Sequence, residues 1–319
     1  MKNKLAVILS LATLAALIFS SGTVLEVCRG ALTLCAELII PSLFPFFVLS
    51  ILLNRLGLPG FLARASAGLT RSLFGVSGAG ASALIMGLMG GYPLGAAYIA
   101  DMHKNGAVST EEAEQLMGFC NNSGPAFIIG AVGAGVFSSA QAGIFLYCVH
   151  ILSAVLTGII IKNRRLTVPA AKPAAPAPLP FALALPEAIK QATVSIINVC
   201  GFVLSFSVFV GILDAQGIFS SIAGHIAART GFELHWIRAL LTGILELGSG
   251  VGAMRGLAVT PINLALAAFI LGWGGLSVHF QTKSLLAGSS IKGVLHFAGR
   301  LISASIGSVS AYFLSLIIF

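Results

Sequence analysis

The sequence predicts an all-α polytopic membrane protein built as two inverted repeats, and three observations carry that expectation. Hydrophobic residues make up 57% of the 319 and charged residues only 9%, with a mean hydropathy of +1.00. A soluble domain carries about a quarter charged residues, so lipid must cover much of this chain. Its long apolar stretches are interrupted at fixed places by a share of the 37 glycines and 12 prolines, which pack membrane helices closely and break them. The second half then replays the first, element by element.

An N-terminal transmembrane helix is expected over residues 1–22, retained rather than cleaved, with Lys2 and Lys4 before its apolar run. The first repeat spans 23–162. Its opening helix, 24–53, holds Pro41 and Pro45; proline lacks a donor and clashes with the preceding turn, so a kink or restart is expected near Pro41. Residues 61–74 place Arg64 and Arg71 seven apart among apolar residues, the pattern of an interfacial helix. Residues 79–100 read as a re-entrant hairpin with its tip at Gly90, Gly91, Tyr92 and Pro93. Ser109 and Glu112 form a capping box, and the helix they start breaks at Cys120–Pro125. It resumes from Phe127 to Phe137, and residues 140–161 complete the repeat.

A basic Pro/Ala-rich cytoplasmic linker is expected over 163–186, on five prolines between 166 and 180. The second repeat, 187–319, follows the same order. A span covers 188–213, a short amphipathic segment 218–229, a glycine-interrupted stretch 236–256, a helix broken at Gly272–Gly275 lies within 261–285, and a last span covers 293–318. Letters match as well as order. Val48-Leu49-Ser50 pairs with Val203-Leu204-Ser205, Gly87 with Gly243, Gly95-Ala96 with Gly252-Ala253, and Gly118-Phe119 with Gly272-Trp273. Each repeat holds three crossings, one of them broken, with an interfacial helix and a hairpin. An odd number of crossings inverts the second copy, an arrangement common in secondary transporters with a solute site near the midplane.

The net charge of +8 sits in loops, at Arg55, Arg64 and Arg71 and at Lys162, Arg164, Arg165 and Lys172. That is the positive-inside signature, so the partner is a bilayer and not nucleic acid. The five cysteines are scattered without a CxxC pair and read as small packing residues. No zinc-protease, nucleophile-elbow or phosphate-loop motif occurs. Neither a catalytic set nor a metal or cofactor is expected, and the protein is not read as an enzyme.

Chemistry is expected where membrane helices break, because lipid cannot satisfy the exposed backbone groups. In the first half, Asn121, Asn122, Ser123 and Gly124 precede a half-helix whose N-terminus offers free N–H donors, a cradle for a carboxylate or a heteroaromatic edge. The bland alternative is a capped kink. In the second half Gly274, Gly275, Ser277 and Gln281 are the counterparts. Glu246 is a carboxylate within an apolar stretch, and such groups mark pathways or ion sites; pairing with Arg255 or capping of the break is the alternative. Gly248, Ser249 and Gly250 after it are expected at the second hairpin tip or gate. His279 and Glu246 are candidates for proton coupling. A coupling ion and a homo-oligomer remain open.

Pro41-Ser42-Leu43-Phe44-Pro45-Phe46-Phe47, Gly90-Gly91-Tyr92-Pro93-Leu94-Gly95-Ala96, Phe127–Gly133 and Gly243-Ile244-Leu245-Glu246 together resemble the YlbJ/SpoVV sporulation integral membrane proteins. These belong to the nucleoside-recognition, or Gate-domain, group related to concentrative nucleoside transporters. The resemblance covers about residues 25–315. It implies transport of dipicolinic acid across the mother-cell-derived outer forespore membrane. Nucleoside transport, or a scaffold for spore-envelope assembly, are the other readings.

Overall fold

A computed structural model describes residues 2–163 and 178–319. All regular structure among them is helical. Arg164, Arg165, Lys172 and most of the expected linker lie outside the described residues.

Helix α1 (Lys2–Phe19) precedes the first repeat. The repeat then runs α2 (Ser21–Arg55), α3 (Leu58–Phe74), α4 (Ala79–Gly90), α5 (Leu94–Lys104), α6 (Thr110–Phe119), α7 (Ala126–Val136) and α8 (Ala140–Ile160). The second runs α9 (Phe181–Ala215), α10 (Ile218–Thr230), α11 (Leu234–Leu245), α12 (Leu247–Gly252), α13 (Pro261–Trp273), α14 (Gly275–Leu285) and α15 (Val294–Ile318). Five stretches among the described residues are long and apolar enough to cross a membrane: α2, α8, α9, α13 with α14, and α15. The broken pair α6 and α7 occupies the place in the first repeat that α13 and α14 occupy in the second.

The repeats are inverted. Helices α2 and α9 are each 35 residues long and pack along one another. The Leu179 N–H donates to the Arg55 carbonyl at 2.9 Å, and Arg55 pairs with Glu187 at 2.8 Å. At the far end Gly211 lies against Val27. The end of one helix therefore meets the start of the other, and the two run antiparallel. The loop ends sort accordingly. Lys162 donates to the Ser72 carbonyl, Gln115 to the Phe74 carbonyl, and Thr110 contacts Ser290, all toward the Arg55 end. Gly256 meets Val136 toward the other end.

Helix α3 meets α4 at 92°, as an interfacial helix running into a re-entrant arm should, and leaves Phe61 and Leu69 exposed. The hairpin tip falls where expected, between the end of α4 at Gly90 and the start of α5 at Leu94. Gly91 there has φ +78, a conformation glycine adopts without a Cβ penalty.

Three expectations need correction. Helix α2 neither restarts nor breaks at Pro41: a π-helical turn over Cys35–Ile39 lets the Ile40 N–H reach the Cys35 carbonyl. The Ser42 hydroxyl donates to the Leu38 carbonyl at 2.5 Å. The ladder thus absorbs the missing proline donor. The linker ends earlier than residue 186, because α9 starts at Phe181 and carries Pro186 within it. Ala184, Ala188 and Ala192 form a fully buried stripe, and that packing outweighs the proline. The capping box is only half made. Ser109 accepts the Glu112 N–H at 3.1 Å, but the Glu112 carboxylate turns away and accepts the buried Ser77 N–H at 2.6 Å.

Candidate functional site

Both breaks lie beside one cavity. Residues 120–124 separate α6 from α7 without helical structure, since Pro125, which opens the next helix, and the competing amides of Asn121 and Asn122 disfavour a continuous ladder. In the second repeat the interruption is shorter: only Gly274 separates α13 from α14, with Gly274 at φ +84 and Gly275 at φ +77. A hairpin tip sits against each break. A Cβ on Gly91 would stand 2.9 Å from the Gly124 nitrogen, and a Cβ on Gly275 would stand 2.9 Å from the Leu247 nitrogen. The same relation in both halves is the mark of the repeat. Tyr92, from the first tip, crosses over: its ring lies against Gly274 of the second break.

Between them lies an interior cavity of about 50 Å³. Its polar lining comes from Tyr92, Ser123, Glu246, Ser277 and Gln281, with Gly91, Gly124 and Gly248 as backbone walls. This volume suits one or two waters and falls well below the ~300 Å³ of a small-molecule site.

Glu246 is 1% exposed. Its backbone is extended between α11 and α12, and its carboxylate accepts from the Gly248 N–H at 2.9 Å and the Ser249 N–H at 2.5 Å. Capping at the break is therefore the observed role; no pairing with Arg255 occurs among the described residues. The Ser277 hydroxyl lies beside it, buried and without a well-formed hydrogen bond.

The expected residues divide. Ser123, Gly124, Ser277, Gln281, Glu246, Gly91, Tyr92 and Gly248 line the cavity. Asn121 and Asn122 are fully buried beside it, but their side chains are spent on the fold. Asn121 accepts the Ala96 N–H at 3.1 Å and donates to Thr282 at 3.0 Å, tying the first hairpin to the second broken helix. Asn122 donates to the Phe119 carbonyl at 2.8 Å. The Ser123 N–H donates to His150 Nε2 at 3.0 Å. Pro93 lines a neighbouring cavity, Gly90 packs on Leu94, Ser249 bonds Ser207 at 3.1 Å, and Gly250 packs on Gly243. Gly274 and Gly275 act as contact surfaces for Tyr92 and Leu247. His279 stands outside the cavity lining, stacked among Trp273, His296 and Phe297.

One residue the sequence reading passed over dominates the surroundings. Arg300, in α15, is 0% exposed. Its Nη1 donates to the Tyr92 hydroxyl and to Asn122 Oδ1, both at 3.0 Å, and Nη2 approaches the Gly118 carbonyl at 3.4 Å. Every one of these acceptors is neutral. The signal was available, a lone cation inside the apolar run of the last span, by the same reasoning that singled out Glu246.

Two further cavities lie beyond this one, separated from it and from each other by shared wall residues. One of about 70 Å³ shares Gln281 with the central cavity and is lined by Pro93, Ser195, Asn198 and Ser284. It shares Leu94, Ala97 and Leu285 with a vestibule of about 660 Å³ edged by Arg55, Asp101, His103 and Lys104.

Fold and site thus define a polytopic integral membrane protein with paired broken helices around a mostly apolar interior cavity that carries a few polar groups. Over 313 aligned residues the chain is 30% identical to the sporulation integral membrane protein YlbJ of Bacillus subtilis (strain 168), with 89% of this chain and 76% of that relative covered. The chain belongs to the YlbJ family of sporulation integral membrane proteins. No family profile matches it, and no solved structure does.

Proposed function

We propose that this protein carries a small polar or anionic solute across a membrane by alternating access around its two broken helices. The observation that carries this reading is the line of three cavities, from a wide charged vestibule through Gln281 to the point where both breaks and both hairpin tips converge. A scaffold has no need of two interrupted helices against one cavity, and interrupted backbone at membrane depth is tolerated where protein buries it or where it lines a water-filled cavity. By loop charge the vestibule faces the cytoplasm.

Family membership narrows the solute. The relative's name ties it to sporulation, and the family resemblance points to dipicolinate, a planar pyridine dicarboxylate, moved across the outer forespore membrane. The Gln281 amide and the Ser123 and Ser277 hydroxyls, which line the cavity, suit such a solute. A nucleoside is the second reading: its ribose hydroxyls would bond to Glu246, which also lines the cavity, in exchange for its capping bonds.

Uptake into vesicles holding the purified protein tests this. Saturable dipicolinate uptake, lost in Glu246→Ala while the variant stays folded in the bilayer, supports the reading. Uridine uptake alone selects the nucleoside. Absence of uptake for either, from monodisperse protein, returns the scaffold.

A further inference from the structure

We propose that Arg300 and Tyr92 form the anion-selective element of the site, with the Tyr92 hydroxyl as the group that meets the solute and Arg300 as the positioning residue that charges it. The inference rests on the transport reading above and specifies how that site would tell an anion from a neutral molecule.

Arg300 is the largest fully buried side chain, and no carboxylate pairs with it among the described residues. A guanidinium withdrawn from water costs several kcal/mol unless a counter-charge and full hydrogen bonding compensate. Here compensation is incomplete. The Gly118 carbonyl sits at the C-terminal end of α6, whose dipole is negative there, but its bond is long at 3.4 Å, and Arg300 Nε has no partner at all. One turn earlier on α15, His296 Nε2 is likewise buried and unpartnered, and so is Nε2 of His279, whose ring lies 5.0 Å from that of His296. The interior around α15 therefore holds a guanidinium that no carboxylate pairs with among the described residues. Glu246 makes no ion pair with it; its oxygens accept the Gly248 and Ser249 N–H groups at the start of α12.

Tyr92 connects this charge to the cavity. Its hydroxyl accepts from Arg300 Nη1 at 3.0 Å, and its own proton points to the Leu271 carbonyl at a long 3.3 Å. Tyr92 also lines the cavity, at the hairpin tip and against the second break. A phenol that accepts from a guanidinium is a polarised donor. Rotation about one C–O bond would turn its proton from the Leu271 carbonyl to a solute oxygen without moving a helix. A carboxylate in that position would receive a charge-assisted hydrogen bond, roughly twice as strong as a neutral one. It would also supply the negative charge that Arg300 lacks.

The test compares pyridine-2,6-dicarboxylate with its neutral diamide, similar in size and shape, by calorimetric binding and vesicle uptake. Tyr92→Phe keeps the ring against Gly274 and removes only the hydroxyl. We expect it to weaken dicarboxylate binding about tenfold or more while diamide binding changes less than about threefold, in keeping with the loss of one hydrogen bond to a charged group. Arg300→Gln should show the same selectivity loss, and Arg300→Lys should retain part of the preference for the anion. Equal effects on both solutes, or none, would overturn the proposal and leave Arg300 as a structural tie between hairpin and break. If Arg300→Gln yields no monodisperse protein, Tyr92→Phe decides alone. Wild-type uptake confined to neutral solutes would overturn the proposal with transport intact. Wild-type protein that moves neither the pyridines nor uridine would remove the transport reading and this one with it.

Discussion

At the scale of single residues, the polar groups buried in this interior divide between holding the fold and facing the cavity. Asn121 holds the fold: both ends of its amide are used, on Ala96 and Thr282. Asn121→Ala should lower the melting temperature in detergent, because it strands a buried backbone N–H at a cost of about 1–3 kcal/mol. Glu246 belongs to both groups. Glu246→Ala removes the cap on α12, costing about 0.5–2 kcal/mol, and takes the acid from the cavity. Glu246→Gln keeps one acceptor and should melt closer to wild type, so an uptake defect shared by both variants would separate chemistry from stability; recovery of uptake in Gln would assign the residue to capping alone. Glu246, Ser123, Ser277 and Gln281 were legible because polar residues inside apolar runs are costly. The turn of Asn121 and Asn122 away from the cavity was not, since side-chain direction depends on neighbours that are distant in sequence.

At the scale of helices, glycine sets the spacing. A Cβ on Gly299 of α15 would stand 1.9 Å from the Gly118 carbonyl oxygen of α6, and one on Gly87 of α4 would stand 1.6 Å from the Cys120 carbonyl oxygen. Neither obstacle is a flexible side chain, so backbone must move. Gly299→Ala should destabilise by at least the ~1–3 kcal/mol of ordinary overpacking, and it should also weaken solute binding, because the same contact positions Arg300 one residue later. Gly130→Ala, with nothing within 4 Å of the added carbon, is the control and should melt like wild type. Ser109→Ala removes the cap on α6 and should cost about 1 kcal/mol. The cap was readable from four letters; the departure of Glu112 to Ser77 required knowing that α3 and α4 join beside the start of α6.

At the scale of the molecule, the cavities open toward one side. Single cysteines at Ser195 and Asn198, in a background lacking the five native cysteines, should react with a membrane-impermeant thiol reagent applied on the vestibule side and not from the other. Bound solute should slow the reaction. Equal labelling from both sides, or labelling indifferent to solute, would break the assigned route. At about 50 Å³ the central cavity is too small for the solute, so solute entry requires movement among the elements that line it: the hairpin tips, the breaks, and helices α2 and α9 through Ile39, Leu43, Val199 and Val203.

The sequence alone determined the membrane class, the order of elements, the internal repeat, the positions of both breaks and of the first tip, and much of the cavity lining; the second tip, expected at Gly248–Gly250, turns instead at Glu246 with those residues inside α12. These follow from composition and from local rules: apolar length, proline and glycine punctuation, and the cost of polar groups in lipid. It also determined the inversion, because the parity of crossings is a counting argument. Tertiary structure decided what those rules do not reach. It placed Tyr92 of the first half against Gly274 of the second, turned the two asparagines into ties, set a π-helical turn at Cys35–Ile39 just before Pro41, and set Arg300 behind Tyr92. Each is a contact between residues far apart in the chain, or a ladder adjusted to accommodate its neighbours. Its energy exists only once the helices have packed.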